Sequence, residues 1–118
     1  MANAVEELIA RYEKSCEQKR CDPIKPLLSL LEKEQPTKQN TVNIHSLLLR
    51  GSQPELFHAR VSYNQLDALT ETFKGVCSMH TLDLSYNFID DTGAKLIANF
   101  LKVGSLRSSY ILILRSKH

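Results

Sequence analysis

Residues 79–89 of this chain read MHTLDLSYNFI, and they follow the spacing L-x-x-L-x-L-x-x-N-x-L. The five fixed places of that spacing are filled, with conservative exchanges at the first and last, by Met79, Leu82, Leu84, Asn87 and Ile89. Leu82 and Leu84 alternate inward from a short strand, and Ile89 returns to the core. Asn87 lies where the chain bends, so its amide is expected to bond backbone groups that neither strand nor helix satisfies.

The residues after this bend predict a helix. They read DDTGAKLIANFL over 90–101, with capping candidates and acidic side chains in the first turn. Ile97, Ala98 and Leu101 would form its inner face. Over Met79–Lys102, about a fifth of the chain, the sequence resembles the ribonuclease-inhibitor-like subclass of leucine-rich-repeat proteins, in which a helix follows every strand. The resemblance implies an α/β fold, a short solenoid with parallel strands and outer helices. Its structural positions also include Gly93.

A weaker copy of this unit precedes it. Leu69 and Phe73 lie 28 positions before Ile97 and Leu101, a spacing that suits such repeats. A second echo, over residues 61–67, has an offset of 23 instead, which makes the first repeat degenerate. Its helix is predicted near residues 67–75, with an apolar face made of Leu66, Leu69 and Phe73. We therefore assign residues 41–104 to leucine-rich repeats, one degenerate and one well formed.

Two helices are predicted before the repeats, and residues 1–40 form an N-terminal helical cap. The first has Asn3 as its N-cap, with Glu6 completing a capping box. Its apolar face consists of Val5, Leu8, Ile9, Tyr12 and Cys16. The second is expected to start with Asp22 as cap and Pro23 in the first helical position. Because Pro26 fits only in a first turn, a start one or two residues later is the alternative. The pair resembles the preface of some centrosomal and ciliary leucine-rich-repeat proteins, through Arg11, Tyr12 and Cys16 and then Pro23, Leu27 and Leu28.

A strand is predicted at each end of the repeat region, but the two sequence patterns differ in how closely they match a strand of the repeat. Alternating apolar residues predict a strand that ends near Arg50 and Gly51, namely Val42, Ile44, Leu47 and Leu49. After Lys102 a further strand is expected, since Tyr110 and Leu112 follow Leu82 and Leu84 by 28 residues, but Arg115 occupies the asparagine place. Residues 105–118 are therefore predicted to be an irregular or edge-strand basic tail. Because about three repeats are needed to bury a continuous core, a truncated isoform with reduced or dominant-negative function is one alternative.

Composition narrows the class of protein. The 118 residues carry 15 basic and 13 acidic side chains, a net charge of +2 that is too small to indicate nucleic-acid binding. The longest apolar runs are too short for a transmembrane helix, and the start of the chain lacks a secretory signal. Three cysteines without regular spacing predict no disulfide framework and favour a reducing compartment. The cytoplasm is the expected location, with the centrosome or cilium as the alternative.

Catalytic and metal-binding patterns are not found in the sequence. It contains no phosphate-binding glycine loop, no nucleophile elbow and no zinc-protease motif. Cys16 and Cys21 are five residues apart with no second pair, which disfavours zinc. A Cys77–His80 nucleophile pair is weakly supported, since nothing orients it. We therefore expect no enzyme activity, no cofactor and no metal.

These observations predict a protein–protein interaction or scaffolding module that uses leucine-rich repeats. Such repeats present the outward positions of a parallel sheet to a partner. Here the predicted partner-binding positions are Thr81, Asp83, Ser85 and Tyr86. Asp83 and Tyr86 lead, because an aromatic ring with a hydroxyl and a neighbouring carboxylate suit protein recognition. The alternative that these residues are only the solvated side of a strand has equal weight.

The partner is expected to be another protein of unknown identity, without nucleic acid or membrane. Self-association through residues 110–114, an apolar β-prone run, is a further expectation. An alternative function, regulation of a small GTPase, rests on fold analogy alone.

Overall fold

The computed structural model describes residues 3–54, 56, 60–74, 77–87, 89–102 and 106–113. The side chains of residues 45, 77–80, 101–102 and 106–113 lie outside the described part. Along the described residues the elements are, in chain order, α1 (Ala4–Gln18), α2 (Lys25–Lys33), β1 (Val42–Leu48), α3 (Tyr63–Phe73), β2 (Cys77–Asp83), α4 (Asp91–Lys102) and β3 (Leu106–Ile113).

The three strands form one parallel sheet in the order β1-β2-β3. Residues paired between β1 and β2 are 35 positions apart along the strand, from Val42 with Cys77 to Leu48 with Asp83. Pairing between β2 and β3 is irregular. Met79 lies opposite Leu106, 27 positions on, whereas Thr81 lies opposite Ile111, 30 positions on.

The predicted leucine-rich-repeat solenoid is wrong. The structure is a small α/β fold with four helices and three short strands in its described residues, and no solenoid of repeats is evident. A solenoid requires one repeat length and one register, so that equivalent units stack. The strand offsets here change from 35 to 27 and then 30 residues, and the predicted period of 28 matches none of them. The expectation of parallel strands joined through helices is correct, but the strand–helix units are not copies of one repeat.

The helices contact one another in a continuous layer, in which α1 contacts α2 and α3, and α3 contacts α4. The capping box of Asn3 and Glu6 at α1 is confirmed by reciprocal hydrogen bonds. The predicted Asp22 cap of α2 is wrong, because the helix begins at Lys25 with Ile24 as N-cap and no side-chain cap. Pro26 then occupies the second helical position, where the missing N–H has no intrahelical partner to lose.

The next helix starts earlier than its apolar pattern indicates. Ser62 and Gln65 form a second capping box, which starts α3 at Tyr63 rather than near residue 67. The predicted inner face of this helix is confirmed, since its members are all buried: Leu66, Leu69 and Phe73.

The last helix is capped by Asp90, whose carboxylate accepts hydrogen bonds from the amide of Gly93 and the hydroxyl of Thr92. Ile97 is buried as predicted, but Ala98 is exposed and Phe100 is buried instead. The side chain of Leu101 lies outside the described residues. Nowhere in the described part of the chain is there a helix of the length and apolarity that crossing a bilayer requires.

Candidate functional site

One face of the sheet carries side chains that alternate with the buried core. Leu47, Leu49 and Leu82 are buried, whereas their neighbours on the two strands are exposed or contact each other across the strands. We call this the open sheet face, and in the described residues it consists of Ser46, Leu48, Arg50, Thr81 and Asp83. Leu48 is 38% exposed, which is unusual among the large apolar side chains that the structure describes.

An ion pair lies at the carboxyl end of this face. The Nε of Arg50 donates to Oδ2 of Asp83 at 2.6 Å, between residues 33 positions apart. The other carboxylate oxygen, Oδ1, accepts hydrogen bonds from the amide of Ser85 at 3.0 Å and from its hydroxyl. The Asp83 side chain is only 4% exposed, while that of Arg50 is 45% exposed. Asp83 thus serves as an anchor beneath a guanidinium that reaches solvent.

The electrostatics of this cluster favour a charged carboxylate. Burial alone would raise the pKa of Asp83, because it penalises the ionised form. The hydroxyl and amide of Ser85, followed by the guanidinium of Arg50, outweigh that penalty and hold the pKa below its usual range. A carboxylate that is ionised and fully bonded is a weak base, so Ser85 is not activated as a nucleophile by it.

The backbone of Arg50 is fixed as well as its side chain. Its amide donates to Oε1 of Gln53 at 2.7 Å, and its carbonyl accepts from the amide of Gln53 at 3.0 Å. Within the part of the chain that the structure describes, only Nε of the guanidinium has a hydrogen-bond partner. The two Nη groups carry four further N–H donors, and none of these bonds another residue that the structure describes.

Asn87 joins three segments of backbone below this face. Its Oδ1 accepts from the amide of Val61 at 2.8 Å, and its Nδ2 donates to the carbonyl of Leu49 at 2.6 Å. Nδ2 also lies 3.1 Å from the carbonyl of Leu84 and 3.4 Å from that of Ser85. The side chain is 1% exposed. These bonds hold the bend after β2 against the loop that follows β1.

The bend is close to Gly51. The amide of Gly51 donates to the carbonyl of Ser85 at 2.8 Å, and a Cβ on Gly51 would lie 1.9 Å from the carbonyl oxygen of Tyr86. Only glycine permits this approach. Tyr86 itself has φ of 61°, the left-handed region that large side chains seldom adopt. The backbone here is held in a conformation that its residue type does not favour.

The four predicted partner-binding residues have different exposures. Thr81 and Tyr86 are half-buried, while Asp83 and Ser85 are each 3% exposed and bonded to each other. Their role in binding stays a prediction.

The predicted structural positions of the repeat also differ in their burial. Most of these residues are buried, namely Leu82, Leu84, Asn87, Gly93 and Ile97, and Ile89 is half-buried. The side chains of Met79 and Leu101 lie outside the described residues.

Sequence reasoning missed Leu48 and Arg50 on the neighbouring strand. A signal for them exists, because they alternate with the buried Leu47 and Leu49, which were themselves recognised. The same period of two places them on the opposite side of β1. The ion pair with Asp83 gave no local signal, because its two residues are far apart in sequence.

A cleft of about 390 Å³ lies elsewhere, between α1 and α3. Its polar wall is engaged in helix packing, since the Ser15 hydroxyl donates to Glu71 at 2.7 Å and Thr72 donates to the carbonyl of Ala68 at 2.7 Å. Among the described side chains, no group of three or more His, Cys, Asp or Glu residues is arranged to hold a metal ion. The open sheet face is therefore the better candidate site.

Comparison with known proteins leaves the family of this chain unassigned. No family model matches the sequence, no curated protein matches it, and no solved structure matches it.

Proposed function

We propose that this chain is a protein–protein interaction module and that the open sheet face contacts the partner. The observation that carries the proposal is the exposure of Leu48 beside a fixed, half-exposed guanidinium. Arginine is enriched among the residues that dominate protein interfaces, and an exposed apolar neighbour adds surface that a partner would remove from water. No catalytic role is proposed for these residues, because the cluster lacks a base that would activate Ser85.

The backbone near this face supports the same proposal. Tyr86 keeps a left-handed conformation that costs a non-glycine residue about 1 kcal/mol, yet the surrounding bonds retain it. Such outliers concentrate at binding sites, where the position of one side chain matters more than local strain. We include the half-buried ring of Tyr86 in the binding surface for that reason.

We further propose a cytoplasmic location. Cys16 and Cys21 are both free thiols, which suits a reducing compartment. Self-association through residues 110–114 and regulation of a GTPase stay predictions, as does the centrosome or cilium as an alternative location.

Affinity purification with three forms of the full chain tests the proposed surface. The face variant combines Leu48→Thr, which introduces a polar residue that is well suited to a strand, with Tyr86→Asn, which tolerates the left-handed backbone. Tyr63→Asn serves as the control, because Tyr63 is 46% exposed on α3 in the helix layer. We expect a protein that is recovered by the wild type and the control, and at least about fivefold less by the face variant. That protein is then purified and its direct binding measured.

Equal recovery by all three forms would contradict the proposal, provided that circular dichroism shows the face variant to be folded. Loss of the same protein with Tyr63→Asn alone would instead assign the interaction to the helix layer.

A further inference from the structure

The size of the open sheet face sets the kind of partner that it can bind. Strands lie about 4.8 Å apart and rise about 3.3 Å per residue, so three strands of seven or eight residues present a face of about 14 by 23 Å. That flat footprint is about 300 Å², before side-chain relief is added, whereas each partner of a stable interface between folded domains contributes roughly 800 Å² of accessible surface. A short peptide segment fits such a face, whereas a globular domain would need contacts beyond it.

The guanidinium of Arg50 determines the chemistry of that peptide. Asp83 holds it through Nε, and the planar group then directs its Nη donors away from the carboxylate that it already binds. Donors arranged in this way match a carboxylate, which accepts two parallel hydrogen bonds from arginine. Asp83 lies 2.6 Å away and balances the single positive charge of Arg50, so its carboxylate would repel a doubly charged phosphate more strongly than a peptide carboxylate.

Leu48 adds a second requirement. It lies two residues before Arg50 on the same side of β1, and it is directly opposite Asp83 in the strand register. An aliphatic side chain of the peptide would remove its exposed surface from water, while the residue two positions along the extended peptide reaches the guanidinium. The two features together describe a pair of adjacent recognition points about two strand residues, or 6 to 7 Å, apart.

We propose that the open sheet face binds a short extended peptide with an Asp or Glu carboxylate two residues from an aliphatic side chain, with Arg50 as the carboxylate-binding group and Leu48 as the apolar contact. Asp83 and Ser85 are positioning residues that orient the guanidinium. This inference rests on the proposed function and names the partner class for the same face.

Selection from a random twelve-residue peptide library displayed on phage tests this inference with the full chain. We expect the wild type to enrich peptides with Asp or Glu two residues from Leu, Ile or Val, and Arg50→Gln not to enrich them. One selected peptide is then synthesised in three forms, with Glu, Gln or phosphoserine at the acidic place. Removing either the peptide carboxylate or Arg50 should weaken binding about 10- to 100-fold, the effect of a charge-assisted hydrogen bond. Arg11→Gln, an exposed arginine on α1, is the matched control and should bind like the wild type.

The outcomes separate this inference from the proposed function. Peptides that shift the backbone amide resonances of β1 and β2 but bind equally with Gln in place of Glu, or equally to Arg50→Gln, overturn the inference and leave the face as a binding surface. Tighter binding of the phosphoserine form overturns the choice of a carboxylate. Failure of every selected peptide to perturb this face overturns the proposed function together with the inference. Asp83→Asn, which keeps the guanidinium but loosens its anchor, should retain binding at an intermediate affinity.

Discussion

The junction of the N-terminal helices and the bend after β2 are both fixed by a buried side chain that bonds backbone, but the two differ in how many bonds they use. At the junction, the hydroxyl of Tyr12 accepts one hydrogen bond, from the amide of Ile24 at 2.8 Å. At the bend, Asn87 serves four backbone groups from three segments. Burial raises the pKa of Tyr12, as expected for a phenol in apolar surroundings.

This difference in bonding predicts how the stability of each region responds to substitution. The aromatic ring of Tyr12 contributes mainly through apolar burial, so most of its contribution remains when the hydroxyl is lost. Asn87 contributes mainly through polar bonds, and removal of its amide leaves buried backbone groups without partners. The bend should therefore be much more sensitive than the helix junction to a substitution that removes only polar atoms.

The largest effect is expected for Asn87→Ala. The amide of Val61 and the carbonyl of Leu49 both lose a buried partner, so we expect the free energy of unfolding to fall by about 3 to 5 kcal/mol. Urea denaturation measures it. Asn43→Ala, at an exposed position of β1, is the control and should change stability by less than about 0.5 kcal/mol. Similar losses in the two variants would show that the bend does not depend on this network.

A somewhat smaller effect is expected for Gly51→Ala, which forces the bend away from the loop after β1. The new methyl group would collide with the carbonyl of Tyr86, and backbone cannot move as a side chain does, so we expect a loss of about 2 to 4 kcal/mol. Gly93→Ala is the matched substitution. Its methyl group would meet the end of the Ile89 side chain at 2.9 Å, which can rotate, and the cost should be about 1 kcal/mol or less. Thermal melts of both variants compare them directly, and a larger loss at Gly93 would refute the close approach at Gly51.

Tyr12→Phe tests the other side of the comparison. Only the hydroxyl is removed, which leaves the amide of Ile24 unpaired, so the expected loss is about 1 to 2 kcal/mol in urea denaturation. Tyr63→Phe makes the same change at an exposed tyrosine and should be near neutral. If Tyr12→Phe costs as much as Asn87→Ala, the contrast between the two regions fails.

The smallest expected effect depends on pH. Because the pKa of Asp83 is lower in the folded chain than in the unfolded chain, its stabilising contribution is complete above the unfolded value and is lost as the pH falls through the folded one. We therefore expect stability to decrease below about pH 4 and Asp83→Asn to decrease less steeply. Glu13→Gln removes an equal charge from an exposed position of α1. Acid titrations of all three forms measure how steeply stability falls with pH. If this slope is the same for Asp83→Asn as for the wild type, the stabilising role assigned to this carboxylate is contradicted.

Sequence reasoning worked where the determinant is local. The alternation of Leu82 and Leu84 predicts buried strand positions, and Asn3 with Glu6 predicts a cap, because each pattern spans only a few residues. The same reasoning failed for the solenoid, since one well-formed stretch does not determine the spacing between strands. The length of the loop after β1 and the irregular pairing of β3 set that spacing, and neither has a periodic signal.

The candidate site shows a related limit. Alternation places Asp83 opposite the core, and on that basis it was predicted to meet a partner directly. Asp83 is nonetheless 3% exposed and bonded to Arg50, 33 residues earlier, and a pairing between distant residues is not visible in one sequence. Alternation alone gives no reason to single out Arg50, the more exposed residue of the ion pair.

The long reach of Asn87 also has a consequence for the order of folding. Its amide joins residues 26 and 38 positions earlier in the chain, so the bonds form only after those segments have already met. Closing such loops costs entropy before any contact offsets it, and late contacts of this kind contribute little to the folding transition state. In stopped-flow kinetics, Asn87→Ala should leave the refolding rate nearly unchanged and speed unfolding instead. The hydrogen bonds at the bend therefore determine the lifetime of the folded chain through its unfolding rate, rather than the rate at which the chain folds.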